Sequence, residues 1–326
     1  MLIRVENLSK TYTSYERGNT FREAFVSMFV RKTKIIPALK GISFSIDRGE
    51  LVGFLGPNGA GKSTTLKILT GILHPSGGHA DVMGYIPWKH RQKYVAKIGA
   101  VFGQKSQLLW DIPPVDAFYL NKAIYAIPDQ AFHHTLANMV ELLNVGDLIR
   151  KPTRQLSLGE RMKCEFIMAM LHQPEIVFLD EPTIGLDVVA KDKIREFILE
   201  MNKNGVTFIL TTHDLGDVEH LAKRIIVINH GEIAFDNSLE ALRNTMGIKK
   251  IISLSTRQPL PDLSFPGITV TRKISEFSAE LELDLAVMEL NRFIDLVGKT
   301  SIISDLTVQE PQIEEVIKNL YQQKAG

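Results

Sequence analysis

The chain has 326 residues, 38 basic against 37 acidic side chains, and a single cysteine. Its length calls for one large domain plus a smaller one, and its formal charge of +1 gives no global attraction to nucleic acid, which is not expected as a partner, or to anionic membrane. Cys164 alone cannot form an intramolecular disulfide, which fits a reducing, cytosolic compartment. Met1 to Asn7 lacks the charged and apolar regions of a signal peptide. Apolar runs such as Phe166 to Leu171 are far shorter than the roughly 20 residues that span a bilayer.

In chain order, Leu2 to Leu8 and Ile42 to Ile46 alternate as half-buried strands do. Between them, Phe21, Ala24, Phe25, Met28 and Phe29 recur at helical spacing, with Arg22, Glu23, Ser27 and Arg31 on other faces. This amphipathic segment, inside Thr13 to Pro37, either covers the domain's own core, meets a transmembrane partner or lies on a membrane surface. Leu51 to Leu55 is an unbroken apolar run, typical of a strand buried on both faces. It leads into Gly56-Pro57-Asn58-Gly59-Ala60-Gly61-Lys62-Ser63-Thr64, which opens a helix to Thr70. That order is the phosphate-loop pattern: glycines let backbone N–H groups close around phosphate oxygens, Lys62 supplies a cation, and Ser63 offers a hydroxyl to Mg²⁺.

A strand ends at Val101-Phe102, and strand signal then disappears between about 105 and 172. There Phe132, Leu136, Met139, Val140 and Leu143 mark a helix that stops at Gly146, so a helical subdomain is inserted. Ile176 to Leu179 is the next buried strand, and it ends on two adjacent carboxylates. Either Asp180 would hold the Mg²⁺ shell and Glu181 would orient or deprotonate the attacking water, or the pair is a solvated turn at the strand end. Val206 to Leu210 and Ile225 to Ile228 extend the same α/β sheet, and Asn229-His230-Gly231 turns the chain into Ile233 to Phe235.

A boundary is expected near residue 246, with 246–326 forming a small α+β accessory domain. Its strands are Ile251 to Ser255, Ile268 to Thr271, Phe277 to Leu283 and Ser301 to Val308. Helices follow at Leu285 to Val297 and from about Gln312 to Tyr321. No cluster in this unit has catalytic or metal spacing.

Over most of 1–245 the sequence resembles the ATP-binding-cassette (ABC) superfamily. Leu156-Ser157-Leu158-Gly159-Glu160 is similar to the family signature, usually Leu-Ser-Gly-Gly-Gln, with Leu158 and Glu160 departing from it. The resemblance implies that Ser157 and Gly159 approach the γ-phosphate bound to an opposite protomer, while Ser157 is also a natural helix N-cap. It makes Gln104 the relay between the Mg²⁺ site and a transmembrane partner, and a ligand of that site. It makes His213 a switch that contacts the γ-phosphate and positions Glu181. Asp187, in Gly185-Leu186-Asp187, would contact the partner's phosphate loop, and Tyr12 would either stack on adenine or merely pack.

Relatives usually cross from the adenine aromatic to the next strand in fewer residues, so Thr13 to Pro37 counts as an insertion. With Phe102 to Asp111 and the form of the signature, it resembles a bacterial branch serving export-type permeases. The implied protein binds ATP and Mg²⁺, dimerises with itself or a homologous subunit, and acts on the cytoplasmic face of a membrane through a separate permease. A soluble, non-transport ABC ATPase acting on a macromolecular complex is the alternative.

Overall fold

The computed structural model describes residues 1–15, 33–103, 105–244, 249–309 and 317. It consists of two compact units, Met1–Asp236 and Asn237–Gly326. The sequence placed the division near 246, where composition changes, whereas compactness changes ten residues earlier, as the last strand of the first unit runs out.

In the first unit, β1 (Ile3–Tyr15) and β2 (Thr33–Ile46) pair antiparallel along their whole length. Both are much longer than their alternation suggested, because irregularities in register after Val5, Leu8 and Lys10 break the period of two. Thr13 to Tyr15 pair with Thr33 to Ile35, so the ends of the inserted segment are strand. The amphipathic stretch 21–29 lies outside the described residues.

β3 (Leu51–Leu55) is buried throughout and delivers the chain through the glycine-rich loop into α1 (Lys62–Leu69). β4 (Gly77–Val82), which the sequence did not disclose, completes a three-stranded sheet in the order β2-β1-β4. A short helix, α2 (Arg91–Val95), precedes β5 (Ile98–Phe102).

The helical insert follows: α3 (Pro114–Ile124), α4 (Asp129–Leu143) and α5 (Leu158–Met170). α4 stops at Asn144 rather than Gly146, because Asn144 adopts the left-handed conformation (φ 53°) that its short polar side chain tolerates. α5 leads into β6 (Ile176–Asp180), followed by α6 (Val188–Lys203), β7 (Thr207–Thr211), α7 (Leu215–Leu221) and β8 (Arg224–Asn229). His230 and Gly231, both at positive φ, turn β8 into β9 (Glu232–Ser238).

The second sheet has the order β5-β6-β7-β3-β8-β9, and the pairs β5–β6, β6–β7, β7–β3 and β3–β8 are parallel. Its core joins Leu66, Ile68 and Leu69 of α1 to Phe54, Phe178 and Ile209 on the parallel sheet and to Val5, Phe44 and Val82 on the antiparallel one. Phe44 and Phe54 meet edge to face at 5.3 Å between the two sheets. Each such fully buried side chain contributes about 1.5–3 kcal/mol, which anchors α1 in the core between the two sheets. The parallel order also gathers the C-terminal ends of β6, β7 and β3 side by side, where an α/β sheet presents its ligands.

The second unit begins with a short helix, α8 (Leu239–Asn244), whose Ala241 N–H is capped by the Ser238 hydroxyl. An antiparallel sheet follows, ordered β11 (Ile268–Lys273), β12 (Ser278–Asp284), β10 (Lys249–Thr256) and β13 (Ile303–Gln309). α9 (Leu290–Gly298) buries Phe293 and Val297 against Ile252, Leu254, Leu281 and Leu283. It starts later than the expected Leu285, because the Asp284 carboxylate and carbonyl hold Ala286, Val287 and Met288 in a turn. The expected last helix lies outside the described residues, apart from the buried Ile317.

Candidate active site

The loop between β3 and α1 is tight on one side and open on the other. A Cβ at Gly56 would stand 2.1 Å from the Ile228 carbonyl oxygen, and one at Gly61 (φ 116°) would stand 2.8 Å from that of Ala38. A Cβ at Gly59 (φ 80°) would meet nothing within 4 Å. Backbone pressed against β8 and β2 on its sheet side, with free space opposite, suits a concave phosphate cradle. Ala60 is buried beneath the loop, and its carbonyl accepts the Gly231 N–H at 3.0 Å. Pro57, Asn58 and Gly59 form the more exposed crest.

Lys62 turns back into this loop. Its Nζ donates to the carbonyls of Gly56 (2.6 Å) and Pro57 (3.2 Å), and only 5% of the residue is exposed. Burial pushes its pKa below the usual lysine value, opposed by the carboxylates of Glu181 and Asp180. A buried cation held only by neutral carbonyls is suited to an anion arriving at the open side.

Ser63, the next residue, donates its hydroxyl to Asp180 Oδ1 at 2.8 Å. Thr211 donates to the same oxygen at 2.6 Å, because β6–β7 register sets Thr211 directly beside Asp180. Thr64, beside Ser63 in the first turn of α1, is half-buried. The donor set fits Mg²⁺, which takes hard oxygen ligands and keeps much of its shell as water and phosphate oxygen. Ser63 and Asp180 would hold the ion.

Glu181 has φ 52°, a left-handed conformation unusual for a residue with a side chain. It is held there by its N–H bond to the Thr211 carbonyl (3.0 Å) and by close backbone packing. A Cβ on Gly103 would lie 2.2 Å from the Glu181 carbonyl oxygen, and the Gly103 N–H bonds the Asp180 carbonyl. The strained backbone aims the Glu181 carboxylate at His213, whose Nδ1 lies 3.2 Å from Glu181 Oε1. Gln104, the residue after Gly103, lies outside the described residues.

The structure thus brings together Lys62, Ser63, Asp180, Glu181 and His213. Ser157, Gly159 and Asp187 form a separate group. Ser157 and Glu160 make a reciprocal capping box at the start of α5, with Ser157 N–H to Glu160 Oε2 at 2.8 Å and Glu160 N–H to Ser157 Oγ at 3.2 Å. Gly159 packs so close to α6 that a Cβ would stand 2.8 Å from Ala190 Cβ. Asp187 caps α6 by accepting the Ala190 N–H at 2.8 Å. Among the described residues no hydrogen bond or ion pair joins this group to the first. Tyr12 is 40% exposed on β1, opposite Ile36, with the Lys10 ammonium 5.4 Å from its ring centre. Its ring is not sequestered in the core.

Three features escaped the sequence reading. Thr211 was passed over because its role depends on strand register. Glu165, buried in α5, accepts from the Ser106 hydroxyl and from Gln107 N (2.9 Å), fastening the segment just beyond Gln104 to the helix that starts at the signature. Burial raises its pKa and those hydrogen bonds oppose the rise. Asp217, fully buried, is the third.

Residues 39–184 match the sequence model of the family described as ABC transporter. The linearmycin resistance ATP-binding protein LnrL of Bacillus subtilis is 30% identical over 298 residues, spanning 86% of this chain and 93% of that protein. A fluoroquinolones export ATP-binding protein of Mycobacterium tuberculosis is 35% identical over 210 residues, 63% of this chain and 66% of that protein. A dimeric ATP-binding cassette, solved in a post-hydrolysis state with ADP and Pi, superposes with a TM-score of 0.61 at 24% identity. It covers 73% of this chain and 98% of its own, a likeness that establishes the fold.

Proposed function

The chain belongs to the ABC transporter ATP-binding family of ATPases, and on that premise we propose that it powers a separate transmembrane permease, in the export direction, as a dimer whose two nucleotide sites are shared between chains. The observation that carries the catalytic part is the convergence of Ser63 and Thr211 on Asp180, with the strained Glu181 and His213 beside them.

In this reading the Lys62 ammonium leaves its carbonyl partners for the β and γ phosphates of ATP. Ser63 and Asp180, with Gln104, would hold Mg²⁺, which would supply positive charge to the phosphate oxygens. The Glu181 carboxylate orients the attacking water and accepts its proton, and His213 fixes that carboxylate in place. Among the described residues no hydrogen bond or ion pair ties Ser157, Gly159 or Asp187 to this group, and Ser157 and Asp187 are exposed, which supports their serving a site in another chain.

No described helix is long and apolar enough to cross a membrane. In the proposed arrangement the permease is a different polypeptide, and this subunit works on its cytoplasmic face. The docking surface proposed for it is the insert beyond Gln104, where Leu109, Trp110 (57% exposed), Leu120 and Ile124 (65%) leave large apolar side chains in solvent. The export direction rests on the resemblance of the insertion and the signature to the export-type branch and on the name of the fluoroquinolones export relative.

Two measurements test the proposal. Glu181→Gln should bind ATP normally and hydrolyse it about 10² to 10⁴-fold more slowly, the usual effect of losing a positioned general base; wild-type turnover would remove Glu181 from the chemistry. Tagged chain recovered from detergent-solubilised membranes should carry a polytopic membrane protein, and Trp110→Glu should release it. Recovery of a soluble complex in its place would favour the non-transport alternative.

A further inference from the structure

Behind the Glu181–His213 pair lies a buried polar network that the chemistry above does not use. Asp217, on α7, is fully buried, and a carboxylate there is tolerable only if its oxygens are satisfied. One oxygen accepts two bonds from the Arg195 guanidinium of α6, from Nε at 2.9 Å and Nη2 at 2.6 Å. The other accepts the hydroxyl of Thr183 and, at 3.4 Å, that of Thr212. Thr183 is two residues beyond Glu181, and Thr212 directly precedes His213. One turn before Arg195 on α6, Lys191 pairs with Asp214, the residue after His213, and the Asp214 N–H bonds Thr212 Oγ1 at 2.9 Å.

We propose that Asp217, held by Arg195, is a positioning residue for ATP hydrolysis: it ties the loop carrying Glu181 to the loop carrying His213 and hangs both on α6. The 3.2 Å contact between Glu181 and His213 is made by two side chains on separate loops, one of them on strained backbone. Without a cross-link those loops could separate, and misplacement of a reacting group by about 1 Å costs on the order of 10² in rate. The guanidinium suits this task because its planar fork fixes direction as well as distance. α6 begins at Asp187, which caps it, so a displacement at Asp187 is carried along one rigid helix to both catalytic loops. Alignment of the pair thereby becomes dependent on what Asp187 touches.

The inference rests on the proposed roles of Glu181 and His213, and its test separates the two. Thr183→Val is nearly isosteric, removes one arm of the cross-link and leaves the Arg195–Asp217 ion pair intact. In the full-length protein it should lower kcat about 10-fold or more while KM for ATP holds; the melting temperature should fall, since among the described residues Asp217 then keeps only Thr212 on that oxygen, and Thr183→Ser should restore both rate and stability. Asp217→Asn should act in the same direction, but among the described residues it leaves the Arg195 guanidinium with only the exposed Asp192 as ion-pair partner, so Thr183→Val remains decisive if that variant fails to fold. In single-turnover measurements on a Glu181→Gln background, adding Thr183→Val should change the residual rate by less than about twofold, because groups acting through one another are not additive. Wild-type kcat in Thr183→Val beside a slow Glu181→Gln would overturn the inference alone, as would full additivity of the two. A Glu181→Gln enzyme with normal turnover would bring down the reading of the site and the inference with it.

Discussion

The first unit holds two groups of candidate site residues that differ in how they are satisfied. Around the glycine-rich loop, Ser63 bonds Asp180 and His213 meets Glu181, while the Lys62 ammonium donates to the carbonyls of Gly56 and Pro57. At the starts of α5 and α6, Ser157, Glu160 and Asp187 are satisfied locally, each within one helical turn. In the proposed reading the first group awaits a ligand. The second is built as two capped helix ends pressed together through Gly159 and Ala190, a rigid surface with Ser157 and Asp187 exposed. Such a pairing is what a site divided between two chains needs: a reactive half kept in tension, and a presenting half that costs nothing to hold in shape.

Substitutions on each side should break this contrast by different amounts. The largest effect is expected at Lys62. Lys62→Ala removes a charge-assisted contact to phosphate and should weaken ATP binding by about 10²-fold, read by titration with a fluorescent nucleotide. The fold should not suffer. Because burial lowers the pKa of Lys62, its charge opposes folding at neutral pH, and that penalty is relieved only as pH rises through the depressed pKa. The nucleotide-free variant should therefore melt no lower than wild type.

A smaller effect is expected at Gly103, whose Cβ would collide with the Glu181 carbonyl oxygen. Gly103→Ala should lower kcat about 10-fold or more through displacement of Glu181, with ATP affinity changed only a few-fold. Equal losses in kcat and binding would show that the loop itself had moved. The smallest effect belongs to the presenting half. Glu160→Gln preserves the capping-box geometry and removes one negative charge from the first turn of α5, so unfolding stability should fall by about 0.3–1 kcal/mol. A greater loss in a thermal melt would mean that Glu160 does more than cap.

The two halves were not equally legible. The glycine-rich loop could be read because nine contiguous residues fix its conformation between a buried strand and a helix, and Asp180 and Glu181 because an apolar run ends on them. Thr211 could not, since only the pairing of β6 with β7 sets it against Asp180. Asp217 and Arg195 stand 22 positions apart and look like surface charges until α6 and α7 bring them together. Glu160 was legible as a departure from the family signature, though not as half of a reciprocal cap. Its carboxylate completes the cap that Ser157 begins. β4 stayed hidden because Gly77, Gly78, His79 and Asp81 outnumber the two buried apolar residues, Ala80 and Val82, that face the core. The parallel strands were plain, their burial on both faces leaving unbroken apolar runs.

The claim that joins these observations is that the reactive half of one chain is completed by the presenting half of another. Sedimentation velocity of full-length Glu181→Gln, compared in MgADP and in MgATP, tests it most directly, because hydrolysis no longer dissolves the closed state. A shift from monomer mass in MgADP to dimer mass in MgATP is predicted. An unchanged mass in MgATP, with nucleotide binding verified on the same sample, would contradict a site shared between two chains.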